Sequence, residues 1–311
     1  MMITRKRVGA LAVAAAFAFG ACSSGGGSAT TAPSSEPSTA ATAEASASAG
    51  GSAAAIACAD GKITSLGSTA LQPVVDAAAK QYVAACTAAT IDVQGGGSGT
   101  GLTQVFQGGA DIGNSDVAAE KKLKPEEAST LVDHIVARQG WLMIANKEVT
   151  GVTNLTSQQA TDIWTGKVTN WNQVGGPDLP IVLVLRPESS GTRAVFKEKV
   201  LGGAAEAAGQ ALTEDSSGAV AQGVAQTPGS TSVLALAYYE ANKGDLVGIG
   251  LDGVEASVDN ISNGTYKLQD NGHMYTKGEA DGLKKSFLDY MMSDAVQNTL
   301  LPSLYYAPAS E

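Results

Sequence analysis

Histidine occurs twice in this chain, at His134 and His273, and cysteine three times, at Cys22, Cys58 and Cys86. Neither type forms a ligand-spaced cluster, which argues against a bound metal. With no histidine beside the serine-rich turns, a Ser-His-Asp hydrolase has no support. Cations are in the minority, 20 Lys and Arg against 30 Asp and Glu, for a net charge of −10. A field of that sign opposes nucleic acid as a partner. Nucleotide motifs are missing as well. "GGGSGTG" (95–101) has no Lys-Ser/Thr after it, and Thr100 stands where G-x-G-x-x-G and G-x-S-x-G need their last glycine.

Long apolar runs are also lacking. "VGALAVAAAFAFGA" is too short to span a bilayer comfortably, and Arg5, Lys6 and Arg7 precede it. Residues 1–21 therefore read as a secretory leader. Small residues before Cys22 resemble a bacterial lipoprotein cleavage box, so Cys22 is expected to become the lipidated first residue of the mature chain. Removal of the three leader cations takes the net charge from −10 to −13. Residues 22–56 are almost wholly Ser, Ala, Thr, Gly and Pro, a composition that cannot bury enough surface to offset chain entropy. They read as a flexible tether that reaches roughly 30 Å. Export places Cys58 and Cys86 in a disulfide-permissive compartment. Two separate buried thiols are the alternative to a bond between them, and we take the bond as the expectation.

What is present is a 44% apolar chain with a core, alternating β-like and helical runs from residue 60 onward. "GKITSLGST", "TIDVQGGGSGT", "ADIGNSD" and "HIVARQGWLMIAN" read as strands, and "LQPVVDAAAKQYVAAC" and "GLTQVFQGG" as helices, the second closed by Gly108 and Gly109. Pro73 suits the first turn of the first helix. A second unit follows with the helix "TSQQATDIWTG", capped by Thr156 or Ser157, the strand "LPIVLVLR" and the helix "TRAVFKEKVLGG". "GAVAQGVAQTPGSTSVLALAYYEAN" reads as a helix, a turn and a second helix. "LVGIGLDGV" leads back to the first unit, completed by the helical "GEADGLKKSFLDYMMSDAVQNTLL". This alternation predicts an α/β protein with largely parallel sheets. The expected lobes are 57–144 with 248–311, and 145–247, and ligands favour the cleft between such lobes.

Three turns share one grammar: "GSTA" (67–70), "GGGSGTG" (95–101) and "SSGT" (189–192) each sit where a strand meets a helix. A helix N-terminus offers unpaired N–H groups and about half a positive charge. Glycine permits close approach and hydroxyls donate hydrogen bonds. Arg186 adds a planar, permanently charged fork. Together these suit one small tetrahedral oxyanion.

These segments, with "IWTGKVTNWNQVGG" and "VGIG" in the same order, resemble the PstS-type phosphate-binding lipoproteins of bacterial phosphate ABC importers. The resemblance runs from about Gly61 to Leu304. It implies a two-lobed, hinged periplasmic-binding-protein-like fold that closes on one phosphate in the interdomain cleft, with no cofactor and no catalysis of its own. It implies a monomeric receptor, lipid-anchored on the outer face of the cytoplasmic membrane, that docks on permease subunits driven by a separate ATPase. By resemblance the ligand residues are Thr69, the backbone of Ala70, Ser98, Asp116, Arg186, Ser190, Gly191 and Thr192. Glu188 is expected to pair with Arg186 and orient it. The readings set against this one are a receptor for another tetrahedral oxyanion, a phosphate-sensing or adhesion lipoprotein, and an exported phosphatase.

Overall fold

The structure is a computed structural model that describes residues 56–207 and 211–309. The expected leader, Cys22 and all of the tether except Ile56 lie outside the described residues. No helix among the described residues is long and apolar enough to cross a membrane.

Strands β1 (Gly61–Gly67), β2 (Ala89–Gln94), β3 (Ile112–Ser115), β4 (Leu131–Asn146), β5 (Asn154–Leu155), β6 (Val182–Leu185), β7 (Ala211–Thr213), β8 (Ser230–Ala235), β9 (Leu246–Leu251) and β10 (Gln269–Lys277) form one connected sheet. Its order is β2-β1-β3-β10-β4-β8-β6-β7, with β9 on β4 and β5 on β9. Helices α1 (Gln72–Ala85), α2 (Ser98–Gln107), α3 (Pro125–Ala128), α4 (Ser157–Trp164), α5 (Gly191–Lys199), α6 (Ser217–Gln226), α7 (Leu236–Ala241), α8 (Val258–Ser262), α9 (Gly282–Met291) and α10 (Leu301–Ser303) connect and cover it. The expected helix starts hold. Pro73 lies in the first turn of α1 and Thr156 caps α4 by accepting from the Gln159 N–H.

β1 pairs in parallel with β2 and β3, and β6 with β7 and β8. The middle of the sheet is antiparallel, against the expectation of largely parallel pairing. β4 runs antiparallel to β10, β8 and β9. It is long enough for two partners in sequence: Leu131–Gly140 meets β10, and Trp141–Ala145 meets β8. One strand therefore belongs to both lobes.

Two large cores divide most of the interior, beside a smaller cluster of Leu102, Val105, Ala119, Ala128 and Tyr275. One contains Ile63, Leu71, Val74, Tyr82, Phe287, Met291 and Tyr306. The other contains Trp141, Ile144, Trp164, Trp171, Phe196, Leu234 and Ile249, and takes in Ile261, Tyr266 and Leu268. An edge-on pair, Tyr82 with Phe287 at 5.9 Å, sits in the first, and Trp164 packs on Phe196 at 4.7 Å in the second. Such aromatics bury large areas and set the energetics of each core.

Two helical expectations are corrected. The stretch "STSVLA" is the strand β8, buried at all six positions, not the start of a second helix. A short apolar run flanked on both faces reads alike as helix or strand; its place between β4 and β6 decides. The last helix is also broken: α9 ends at Met291 and a π-helical turn, Ala295–Leu300, follows. "LVGIG" does not lead straight back to the first unit, because β9 pairs with β4 and β5 beside the second core.

Cys58 and Cys86 are joined in a disulfide, with Cα atoms 5.3 Å apart across a sequence separation of 28 residues. The bond ties the start of the first strand to the C-cap of α1. It shrinks the unfolded ensemble, an effect of roughly 3 kcal/mol for a loop of this size. The Cys58→Ser, Cys86→Ser double variant is expected to melt several degrees lower in a thermal scan; an unchanged melting temperature would show that the bond constrains nothing.

Candidate functional site

The sequence brings hydroxyls and glycines to helix starts, and the fold brings those starts together. β1 ends at Gly67, whose φ of 147° suits only glycine, and a Cβ there would lie 2.1 Å from the Asn114 carbonyl oxygen. The chain then turns through Ser68 and Thr69 into α1. β3 ends at Ser115 and delivers Asp116 beside it. Asp116 is 2% exposed. Its backbone N–H donates to Ser98 Oγ at 3.0 Å, which fixes it against the start of α2.

The Asp116 carboxylate collects donors from three directions. Ser68 Oγ donates to Oδ1 in a short hydrogen bond. Gln139 Nε2 donates to the same oxygen at 3.1 Å, from β4. Thr192 Oγ1 donates to Oδ2 at 3.1 Å, from the first turn of α5. Burial pushes the Asp116 carboxyl above the ordinary aspartate range, while the Ser68 and Thr192 bonds and the Arg186 charge pull it back.

Arg186 follows β6 and is 4% exposed. Nη2 donates to Thr69 Oγ1 at 3.3 Å and to the Asp215 carbonyl at 3.1 Å. Nε and Nη1 are buried and have no partner among the described residues. Burial lowers its pKa, with the Asp116 and Asp215 charges opposing. A buried guanidinium with donors left over is built to meet an acceptor.

The remaining expected residues converge on the same place. Ser190 caps α5 by accepting from the Arg193 N–H at 3.2 Å. Gly191 passes so close to the first lobe that a Cβ would sit 2.2 Å from Ser98 Oγ and 2.7 Å from Asp116 Cβ. The Gly99 N–H donates to the Ser189 carbonyl at 2.8 Å, so the starts of α2 and α5 touch. The first-turn N–H groups of α5, at Gly191 and Thr192, have no intrahelical carbonyl to meet.

Two expectations change. Glu188 does not orient Arg186; its side chain is 79% exposed and pairs with Arg193 Nη1 at 2.9 Å. Its longer stem carries the carboxylate out of the turn, and Thr69 and the Asp215 carbonyl hold Arg186 instead. Ala70 is buried beside the site, yet its N–H donates to Ser68 Oγ and its carbonyl accepts from Tyr306.

Sequence reading missed Ser68, Gln139 and Ser217. Ser217 exchanges a hydrogen bond with Thr69 Oγ1 at 3.1 Å, and its N–H donates to the same oxygen. The signal was there: "DSSGAV" (215–220) repeats the strand, Ser-Ser-Gly, helix grammar of "ESSGTRAV", with Ser216 capping α6. Gln139 carried none, being one polar residue in an apolar strand. The finished site holds a planar cation with free donors, helix N-termini and one acceptor-rich carboxylate. That set fits a small oxyanion that itself carries a proton.

A model of the PBP superfamily domain matches residues 37–295. The chain is 44% identical over 253 residues to the phosphate-binding protein PstS of Bacillus subtilis, covering 81% of this chain and 82% of that one. It is 27% identical over 246 residues to the protein SphX of Synechocystis, covering 74% and 73%. Among solved structures it resembles a protein described as a phosphate ABC transporter substrate-binding protein with bound phosphate, from Clostridium perfringens. The TM-score is 0.73 and the identity 29%, over 80% of this chain and all of that one. An ABC-type phosphate transport receptor from Vibrio cholerae aligns with a TM-score of 0.62 at 28% identity, over 79% and 99%.

Gly191→Ala is expected to hold the two lobes apart, because its Cβ meets Ser98 and Asp116 in the contacting arrangement. Overpacking of this kind costs about 1–3 kcal/mol, so anion affinity should fall roughly tenfold or more. Titration of the variant with the anion checks it, and parent-like affinity would mean that the neighbours yield.

Proposed function

Because the chain belongs to the PstS family of phosphate-binding proteins, within the PBP superfamily, we propose that its cleft captures one inorganic phosphate ion outside the cytoplasm and delivers it to an ABC importer. It is a solute-binding protein, not an enzyme. The observation that carries the reading is the buried Arg186, whose Nε and Nη1 have no partner among the described residues, in a site that also holds the start of α5 through Thr192 and Asp116. These supply the positive half of an oxyanion site. Thr69, Ser98, Asp116, Arg186, Ser190, Gly191 and Thr192 are the proposed ligand residues, with Ala70 beside them and Ser68 and Ser217 added.

Asp116 supplies the discrimination. An ionised carboxylate only accepts hydrogen bonds, and phosphate near neutral pH retains a P–OH that donates one. One proton then lies between ligand and carboxylate. Sulfate brings none, so it meets an unpaired acceptor and a like charge. A site that demands a hydrogen bond can reject an analogue lacking it by about 10⁴–10⁵.

The finer organisation is also proposed. The lobes follow the expected division, 57–144 with 248–311, and 145–247, except that residues 141–144 and 248–268 are counted with the second lobe, because Trp141, Ile144, Ile249, Ile261, Tyr266 and Leu268 pack in its core. A lipid on Cys22 anchors the monomer to the outer face of the cytoplasmic membrane. Residues 22–56 tether it there for docking on the permease subunits, which the resemblance to importer receptors supports.

Calorimetric titration with phosphate, arsenate and sulfate tests the reading: phosphate and arsenate should bind and sulfate should not at neutral pH. Arg186→Ala should weaken phosphate by roughly 3 kcal/mol or more, and Arg186→Lys should not restore it, since a point charge does not replace the planar fork. Affinity within a few-fold of the parent would overturn the assignment of Arg186. The pH dependence has a definite sign. Because burial raises the Asp116 pKa, acidification protonates it before an ordinary aspartate and supplies the proton that sulfate lacks. Sulfate affinity should therefore rise as the pH falls in the parent. In Asp116→Asn that dependence should vanish, and sulfate should gain on phosphate at neutral pH; an unchanged ratio would show that Asp116 does not discriminate.

A further inference from the structure

Lys122 lies outside the anion site, yet it touches the loop that builds it. Its Nζ donates to the Glu188 carbonyl at 2.6 Å and to the Ser190 carbonyl at 3.1 Å. Both carbonyls belong to the turn between Arg186 and α5. Lys122 itself is held by the first lobe. The turn before it, Ala119–Lys121, packs through Ala119 with Leu102, Val105 and Tyr275, and the Ala119 N–H donates to the Tyr275 hydroxyl at 3.1 Å. α5 is fixed to the second lobe through Val195 and Phe196. The ammonium therefore bridges the lobes, and its two bonds exist only when they are together.

We propose that Lys122 is a closure latch that makes the closed form depend on a bound anion; the proposal rests on the phosphate-binding reading given above. The reason is the cost of taking charge out of water. Burial opposes the Lys122 ammonium first of all; Glu188 and Asp116 attract it, and Arg193 and Lys197 on α5 repel it. Arg186 is a second buried cation, with Nε and Nη1 unpartnered among the described residues. Closure without an anion leaves those donors unanswered and the ammonium poorly hydrated. With an anion seated the cost is offset, and the two carbonyl bonds then hold the binding turn against the ion. Lys122 is thus a positioning residue: it acts on the ligand through the backbone of residues 188–190. Its neighbour makes a different kind of bridge. Lys121 pairs with Glu198 at 3.1 Å, with both side chains about half exposed, and such pairs contribute little.

Stopped-flow measurement of phosphate release from the mature chain tests the proposal. Hydrogen bonds to a charged group make Lys122→Met expected to release phosphate about tenfold faster or more. Lys122→Arg, which keeps the charge, should stay close to the parent, and Lys121→Met should remain within about twofold. The ligand-free melting temperature of Lys122→Met should stay at or above that of the parent, a result that a merely structural lysine would not give. Lys122→Gln keeps an N–H donor on a shorter stem and loses the charge; it serves if the Met variant does not fold, and its release should also be faster. Parent-like release from either variant, while phosphate still binds, would overturn the latch. Absence of phosphate binding by the parent would instead overturn the functional reading.

Discussion

Arg186 is almost wholly buried, and two of its three nitrogens find no acceptor among the described residues. Taking a guanidinium out of water costs several kcal/mol unless other groups replace the lost hydration. The fold holds it there with one good anchor, the Asp215 carbonyl, and one long one, the Thr69 hydroxyl. Asp116 supplies opposite charge at a distance rather than a direct pair. The remainder of the site can be understood from this imbalance. A group so placed is stabilised most by an ion that answers its free donors.

Glycines and helix starts bring the backbones of the site together. Gly67, Gly191 and the turn at 95–101 let backbones approach to distances that a Cβ would block. The starts of α2 and α5 touch through the Gly99 N–H and the Ser189 carbonyl, and the start of α6 meets Thr69 ahead of α1, so N-terminal dipoles add locally. This local field works against a chain whose net charge is −10. The two do not conflict, because exposed charges are screened over about 8 Å at physiological salt and a desolvated cleft is not.

The lobes share one long strand, and each is built mainly round its own core. The contacts between them at the site are polar: the Thr192 hydroxyl on the Asp116 carboxylate, Arg186 and the Ser217 N–H on Thr69 Oγ1, backbone carbonyls on Lys122, an N–H of α2 on the Ser189 carbonyl. Polar contacts of this sort exchange with water at small net free energy. An interface of that character suits a closure that a single small ion can decide, whereas apolar cores on either side remain intact whichever way it goes.

The sequence by itself determined the α/β class and the strand-to-helix turns that carry Thr69, Ser98 and the 190–192 segment, whereas the Cys58–Cys86 bond was an expectation that the structure decided. Those features are local: glycine, hydroxyl and proline act on the backbone within a few residues of themselves. The same locality made "DSSGAV" readable, although its partner Thr69 is 148 residues away. Only the tertiary structure decided that β8 is a strand, since its buried apolar run has no period of its own until β4 and β6 flank it. Only it placed Gln139 on Asp116, turned Glu188 outward to Arg193, and set Lys122 across the cleft. In each of these cases the side chain is ordinary for its local element, and its role comes from a neighbour that the chain reaches only after folding back on itself.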